Sequence, residues 1–515
     1  MLLRRTVVPG LLLLCALPVL AARVCAQSPG GPATGLAALQ KQHAGLRAGY
    51  VADLEKLVEY CLERGLDGGV AAIQPYLAEP ETTTLRAVTL PTAVEPDIPT
   101  GLPADEHYWR TQLRNRRKEY AQKIYLLSRR VLRSNYPGYA YELVRETALH
   151  DPDHRAAREL LGYVQFGKEW VTPYAREMLR NDHVWHADFG WLPKSHVARY
   201  EKGERNVNGV WMSAEKEAEV RRDFARGWEI RTDHYLIKTN YSLERGVELG
   251  RALEDFYSFF HETFAGFFND PEQLQRIFNG TAPAVSKSVR PYHVNYYRTR
   301  EEYVQRLEKK FPAIQKTNGI YLTGDLTAHF YYDPAGNQEA TLFHEATHQL
   351  FFESHPMDRP IGQTANFWII EGIACYMESF RRSADGYTVG DPRYIRFAGA
   401  RVNYLDQKYY VPMQEFAAMG MQSFQAAPML AKNYTQAAGL AQFFMQYDNG
   451  RYRDALVSHL AQLYSANARK RESAQGLDEL TGVDYIELDR EYGEFLRQMQ
   501  QAVDAARKDS STSRE

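Results

Sequence analysis

Apolar residues first recur at helical spacing between Leu46 and Leu66, in a stretch rich in Leu, Glu and Lys that predicts a helix. Before it, residues 27–34 are rich in Ser, Pro and Gly and read as a flexible leader. The pattern then fades: residues 79–104 carry Pro80, Pro91, Pro96, Pro99 and Pro103 and few large apolar side chains, which predicts an extended connector. From Glu106 to Asp223 the pattern is mainly helical, strongest over Trp109–Ser134 and Tyr139–His150. Within it, Ala140–Gly162 resembles one tetratricopeptide-type helical hairpin, without a second copy at the expected period of about 34 residues. Trp170-Val171-Thr172 and Trp211-Met212-Ser213 form a smaller echo. Thr172 and Ser213 suit helix N-caps and Pro173 suits a first helical position, so both copies read as helix entries with a Trp packed beneath.

Past Trp228 the period changes. Glu229–Thr239, His293–Arg298 and Tyr321–Asp333 have strand character, Ser242 is placed to cap a long amphipathic run to about Phe268, and Thr299-Arg300-Glu301-Glu302 has the form of a capping box. Beyond Gln338 nearly everything is helical to about Lys508. The fold class expected is α+β. The expected organisation is a helical segment and Pro-rich linker over 27–105, a helical N-terminal domain over 106–226, a catalytic domain over 227–505 able to fold from about Arg226 onward, and a disordered tail over 506–515.

Composition narrows the class of molecule. The 515 residues are 44% apolar and 24% charged, as in globular proteins, and 62 basic against 64 acidic side chains give no overall field for nucleic acid or an anionic membrane. Arg4 and Arg5 precede a short apolar run, Val7–Ala22, interrupted by Pro9 and Pro18. That run is a poor membrane span and reads as a secretory signal over residues 1–26, with Val24-Cys25-Ala26 before the cut and a cut after Ala22 as the alternative. Export to the periplasm or the extracellular space follows, and the mature chain keeps 59 basic against 64 acidic residues. Only Cys61 and Cys375 remain, too few for a disulfide framework, and two buried free thiols are expected.

The chemistry concentrates in Thr341–Leu350, which contains His344-Glu345-x-x-His348 in a helical run. On a helix the two histidines share one face a turn apart and can bind one Zn²⁺, with Glu345 beside them as general base. Such a motif arises by chance in roughly 3 of 100 chains of this composition, so a third ligand matters. A metzincin pattern fails, because Phe351 and Ser354 stand where Gly and His are required and His355 is one position out of register. Glu371, 23 residues after His348, lies in an apolar run where a lone carboxylate would be costly and a metal would explain it. Glu378 lies two turns further on the same face and is placed to orient a ligand histidine.

With this second segment, Trp368-x-x-Glu371-Gly372-x-Ala374-x-Tyr376-x-Glu378, the chain resembles the gluzincin metallopeptidases, the Peptidase MA-like group that includes thermolysin and the aminopeptidase N family. More narrowly, it is similar to secreted bacterial proteins of planctomycete type. The resemblance covers roughly residues 228–505 and its motifs residues 344–378. It implies a thermolysin-like catalytic domain, Zn²⁺ held by His344, His348 and Glu371, catalysis by Glu345, and a later tyrosine, Tyr434, stabilising the oxyanion. No Gly-x-Met-Glu-Asn segment precedes the motif, so specificity for a free substrate amine is not implied. The expected function is zinc-dependent hydrolysis of peptide bonds in an exported peptide or protein, with the N-terminal helical region available to a protein partner. The competing reading is an exported binding or scaffold protein with a structural or inactive metal site, for which Glu345 would have no use.

Overall fold

The computed structural model describes residues 32–79, 83–284, 290–334, 338–355, 361–426 and 428–512. The signal segment lies outside the described residues, as does most of the leader. Among the described residues, no helix is long and apolar enough to cross a membrane.

The first helix begins at Pro32 and runs to Glu63, overlapping the end of the expected leader. Leu54, Leu57 and Cys61 on it pack with Trp109, Leu113 and Tyr120 of a helix spanning Ala104–Arg133. The intervening linker is extended but tied down. Its β1 (Leu85–Val88) pairs antiparallel with a strand 300 residues later, Leu85 opposite Val389. Prolines remove donors from such a segment, so its carbonyls need partners. Arginines supply them: Arg114 donates to the carbonyl of Pro96, Arg117 to that of Glu95 and Arg145 to that of Val88.

Two expectations for residues 106–226 are corrected. Helix Pro137–His150 is followed by Arg155–Leu160, only 6 residues, too short for the second helix of a tetratricopeptide unit. The remainder is not mainly helical. It is a series of three β-hairpins, β2 (Val164–Phe166) with β3 (Glu169–Val171), β4 (His183–His186) with β5 (Gly190–Pro193), and β6 (Glu204–Val207) with β7 (Val210–Ser213), each followed by a short helix. Thr172 and Ser213 do cap their helices, accepting from the N–H groups of Ala175 and Lys216. The middle copy is obscured in the sequence because Gly190 and Trp191 are adjacent and Pro193 has no capping hydroxyl. Aromatic contacts link the units in series: Tyr174 after the first hairpin meets Trp191 of the second, and His196 and Arg199 after the second cover Trp211 of the third.

A five-stranded mixed sheet follows. β8 (Trp228–Arg231) and β9 (Tyr235–Thr239) form a hairpin, β10 (Tyr292–Tyr297) runs parallel to β9, and β11 (Gly319–Leu322) with β12 (Thr327–Tyr331) forms a second hairpin. Each of Glu229–Thr239 and Tyr321–Asp333 is thus two strands rather than one. The spatial order is β11-β12-β10-β9-β8, with β12 parallel to β10 and both outermost strands antiparallel to their neighbours. All five residues of β12 are buried, as expected of a strand covered on both faces. Helices Leu243–Thr263 and Gln338–Ser354 contribute to the main core with the sheet, while Tyr297, Tyr303, Leu307, Ile314 and Tyr331 form a separate cluster around helix Arg300–Leu307.

The expected boundary at 226/227 cuts a continuous core. Val131, Leu143 and Ala157 cluster with Ala265, Leu274 and Ile277, and buried Arg145 grips Glu262 with two nitrogens. A piece starting near Arg226 would lose these partners, so its independent folding is not supported. After helix Phe367–Met377 come β13 (Arg381–Ser383) and β14 (Gly386–Val389), the latter β1's partner, and then helices as far as Thr512. The last helix spans Tyr485–Thr512, so residues 506–512 are helical rather than a tail; Ala505-Ala506-Arg507-Lys508 are good helix formers.

Candidate metal centre

Helix Gln338–Ser354 turns Leu342, Phe343, Ala346, Leu350 and Phe351 into the core, where Phe343 stacks on Phe256 with ring centres 5.0 Å apart. That orientation leaves His344, Glu345 and His348 half-buried. Facing them is helix Phe367–Met377, every residue of which is buried. It lies so close to helix Leu430–Gly450 that a Cβ on Gly372 would stand 2.6 Å from the carbonyl oxygen of Ala437. Glycine after Glu371 is what lets these two helices touch.

Three donor atoms converge between the helices. His344 Nε2 is 3.2 Å from His348 Nε2 and 3.6 Å from Glu371 Oε2, which is 3.8 Å from His348 Nε2. Tetrahedral zinc with bonds of about 2.0–2.1 Å sets its ligands about 3.3–3.4 Å apart, so two imidazoles and a carboxylate at these separations fit the ion.

The supports of this triad are equally specific. His344 Nδ1 lies 3.0 Å from Glu378 Oε1, an arrangement that commits Nδ1 as donor and leaves the Nε2 lone pair to a metal. Glu378 is held in turn by two nitrogens of Arg396, each at 3.0 Å, and by the Tyr394 hydroxyl at 2.8 Å. Burial would raise the pKa of Glu378, but hydrogen bonds from His344 and Arg396 bring it down to about 2. Burial lowers His348, which suits a neutral ligand. Burial also opposes charge on His344, yet its neighbours Cys375, Glu371 and Glu378 raise its pKa well above the usual histidine range, so a metal binding at Nε2 must displace a proton. Glu371 stays below the carboxylate range despite burial, because of both histidines and the nearby Tyr434 hydroxyl.

Tyr434 therefore reaches the cluster, in the first turns of helix Leu430–Gly450, with Gln425 Nε2 donating to its hydroxyl at 3.3 Å. Burial raises its pKa, keeping the phenol protonated. Glu345 points to the sheet edge, where Oε2 accepts the Tyr321 N–H at 2.8 Å. His355 lies apart, against Phe267 and Ser354.

Sequence reasoning missed four participants. Cys375 is a buried free thiol, like Cys61, but its position four residues after Glu371 sets it beside His344 and Glu378; that spacing was the available signal. Tyr394, Arg396 and Tyr321 carry no motif and are brought in only by the fold. An open cavity of about 820 Å³ lined by Asp188, Tyr241, Arg251, Tyr332, Glu339 and Arg381 contains none of the metal-ligating side chains and is not part of this site.

No family model matches the chain, and no match is found among curated proteins or solved structures.

Proposed function

We propose that this protein is an exported zinc-dependent peptidase of the gluzincin type. The observation that carries the reading is the convergence of His344, His348 and Glu371 at zinc-ligand spacing, with Glu345 next to His344 on the same helix. The mixed sheet with an antiparallel edge strand, followed by two ligand-bearing helices and a helical remainder, is compatible with a thermolysin-like domain. Export rests on the sequence pattern of residues 1–26.

When bound, zinc supplies a Lewis acid for the scissile carbonyl and lowers the pKa of water. Glu345 takes the proton from the attacking water and hands it to the leaving amine nitrogen. Its Oε1 has no hydrogen bond among the described residues and is the oxygen available for this work. Glu378 and Arg396 keep the His344 ring from turning. Tyr434, protonated and beside Glu371, donates to the oxygen on which negative charge develops. The substrate is an exported peptide or unfolded protein, entering along β11, an edge strand of the kind extended peptides join.

Metal analysis of the purified chain should find one zinc, and Glu345→Gln should keep the zinc and the fold while losing nearly all hydrolysis, since an amide cannot accept the proton. Turnover of unfolded casein by Glu345→Gln at the wild-type rate would end this reading.

A further inference from the structure

On the helix that carries the two histidines, Glu345, Gln349 and Glu353 recur every four residues and so form one polar face. That face runs along β11, and one residue of the strand grips both ends of it. The Tyr321 main-chain N–H donates to Glu345 Oε2 at 2.8 Å, and the Tyr321 hydroxyl donates to Glu353 Oε1 at 3.3 Å. Fully buried Gln349 stands between, its amide donating to the same Glu353 oxygen at 2.8 Å and to the carbonyl of His293 on β10 at 3.2 Å.

The strand needs such a fastening. Among the described residues β11 has a ladder partner on one side only, and an edge strand is held less firmly than a central one. One end is seated by Gly319, where a Cβ would stand 2.7 Å from the Thr341 methyl group, so strand and helix touch there. Beyond Gly319 the fastening is Tyr321. A carboxylate that must accept a proton from water has to be held in a narrow range of orientations, and a misplacement of about 1 Å costs on the order of 100-fold in rate.

Resting on the zinc-peptidase reading, we propose that Tyr321 and Glu353 are positioning residues for Glu345: the phenol tied to Glu353 keeps β11 seated, and the seated N–H fixes one oxygen of the general base. Neither side chain touches the substrate's reacting atoms.

Two measurements on the full-length chain test this. Hydrogen exchange over residues 319–322 should quicken about tenfold in Tyr321→Phe and in Glu353→Ala, and stay near wild type in Glu353→Gln, whose amide oxygen still accepts from the phenol. Turnover of unfolded casein should show kcat lowered about tenfold in Tyr321→Phe and Glu353→Ala, with KM within twofold and full zinc content, and with Glu353→Gln largely restored. Unchanged exchange in Tyr321→Phe overturns the proposal whether or not the chain hydrolyses anything. A change in KM with kcat intact also overturns it. A wild-type chain that binds zinc and cleaves nothing defeats the peptidase reading instead, and exchange alone then decides whether the phenol seats the strand.

Discussion

The two ligand-bearing helices and the three hairpins before the sheet are built on opposite plans. Helix Phe367–Met377 is buried at every residue and takes its position from the core on all sides. In the hairpin series the tryptophans are all partly exposed and Leu192 is among the few buried apolar residues. Those units are shaped by tight turns, caps and aromatic contacts between neighbours. The difference teaches where accuracy comes from. Donor atoms that must converge within a few tenths of an ångström are set on elements that cannot shift without disturbing a packed core. The hairpins meet the main core through fewer contacts, such as Trp185 against it and Arg205 beside Glu244.

The strongest way to break this contrast is to remove a ligand. Glu371→Ala should lower zinc affinity by more than about 100-fold, whereas Glu378→Ala, which only frees the His344 ring, should cost about 10- to 100-fold; equal zinc retention in Glu371→Ala and wild type, by metal analysis after dialysis, would remove Glu371 from the centre.

Acid attacks the buried side of the comparison. Burial lowers His150 to about 4, His261 to about 3 and His329 to about 4, so below pH 6.5 the unfolded chain binds protons that the folded chain refuses. The stability these residues contribute is whole above pH 6.5 and falls as pH drops, by about 2 kcal/mol each at pH 5. Asp454, raised by burial to about 6, works the other way below pH 6 and offsets part of one histidine. Urea midpoints between pH 7 and pH 5 should therefore fall steadily.

Gly372→Ala should destabilise the chain by about 1–3 kcal/mol, because the added methyl group must push apart the helices carrying Glu371 and Tyr434. Turnover should fall with it. The smallest effect belongs to the hairpins: Thr172→Ala removes one N-cap, costs about 1 kcal/mol, and should leave zinc content and kcat within twofold of wild type. A large loss of zinc there would show that the two regions are mechanically coupled after all.

The same contrast governs how much could be read beforehand. His344, Glu345, His348 and Glu371 were legible because helical spacing and a carboxylate in an apolar run are local patterns, and the structure brings His344, His348 and Glu371 together. Glu378 was legible for the same reason. The caps at Thr172 and Ser213 were legible because a hydroxyl followed by a helical run is a local signal. Tyr321, Tyr394 and Arg396 were not, since each acts across a distance in the chain that only the fold closes. The hairpins do not stand out in the sequence because their strands are 3 or 4 residues long, too brief for alternation to register. The shared core around Arg145 and Glu262 was hidden because a largely buried ion pair looks like two surface charges in sequence.

The pairing of β1 with β14 bears on what a nick in the linker would do. A protease cutting between Pro91 and Pro103 would sever the backbone without releasing the severed part. β1 would still be laddered to β14, and the carbonyl of Val88 would still be gripped by Arg145 on the far side of the cut. The shortened piece would persist as a bound subunit, separable in denaturant but co-eluting in native buffer, so one particle would carry two polypeptides.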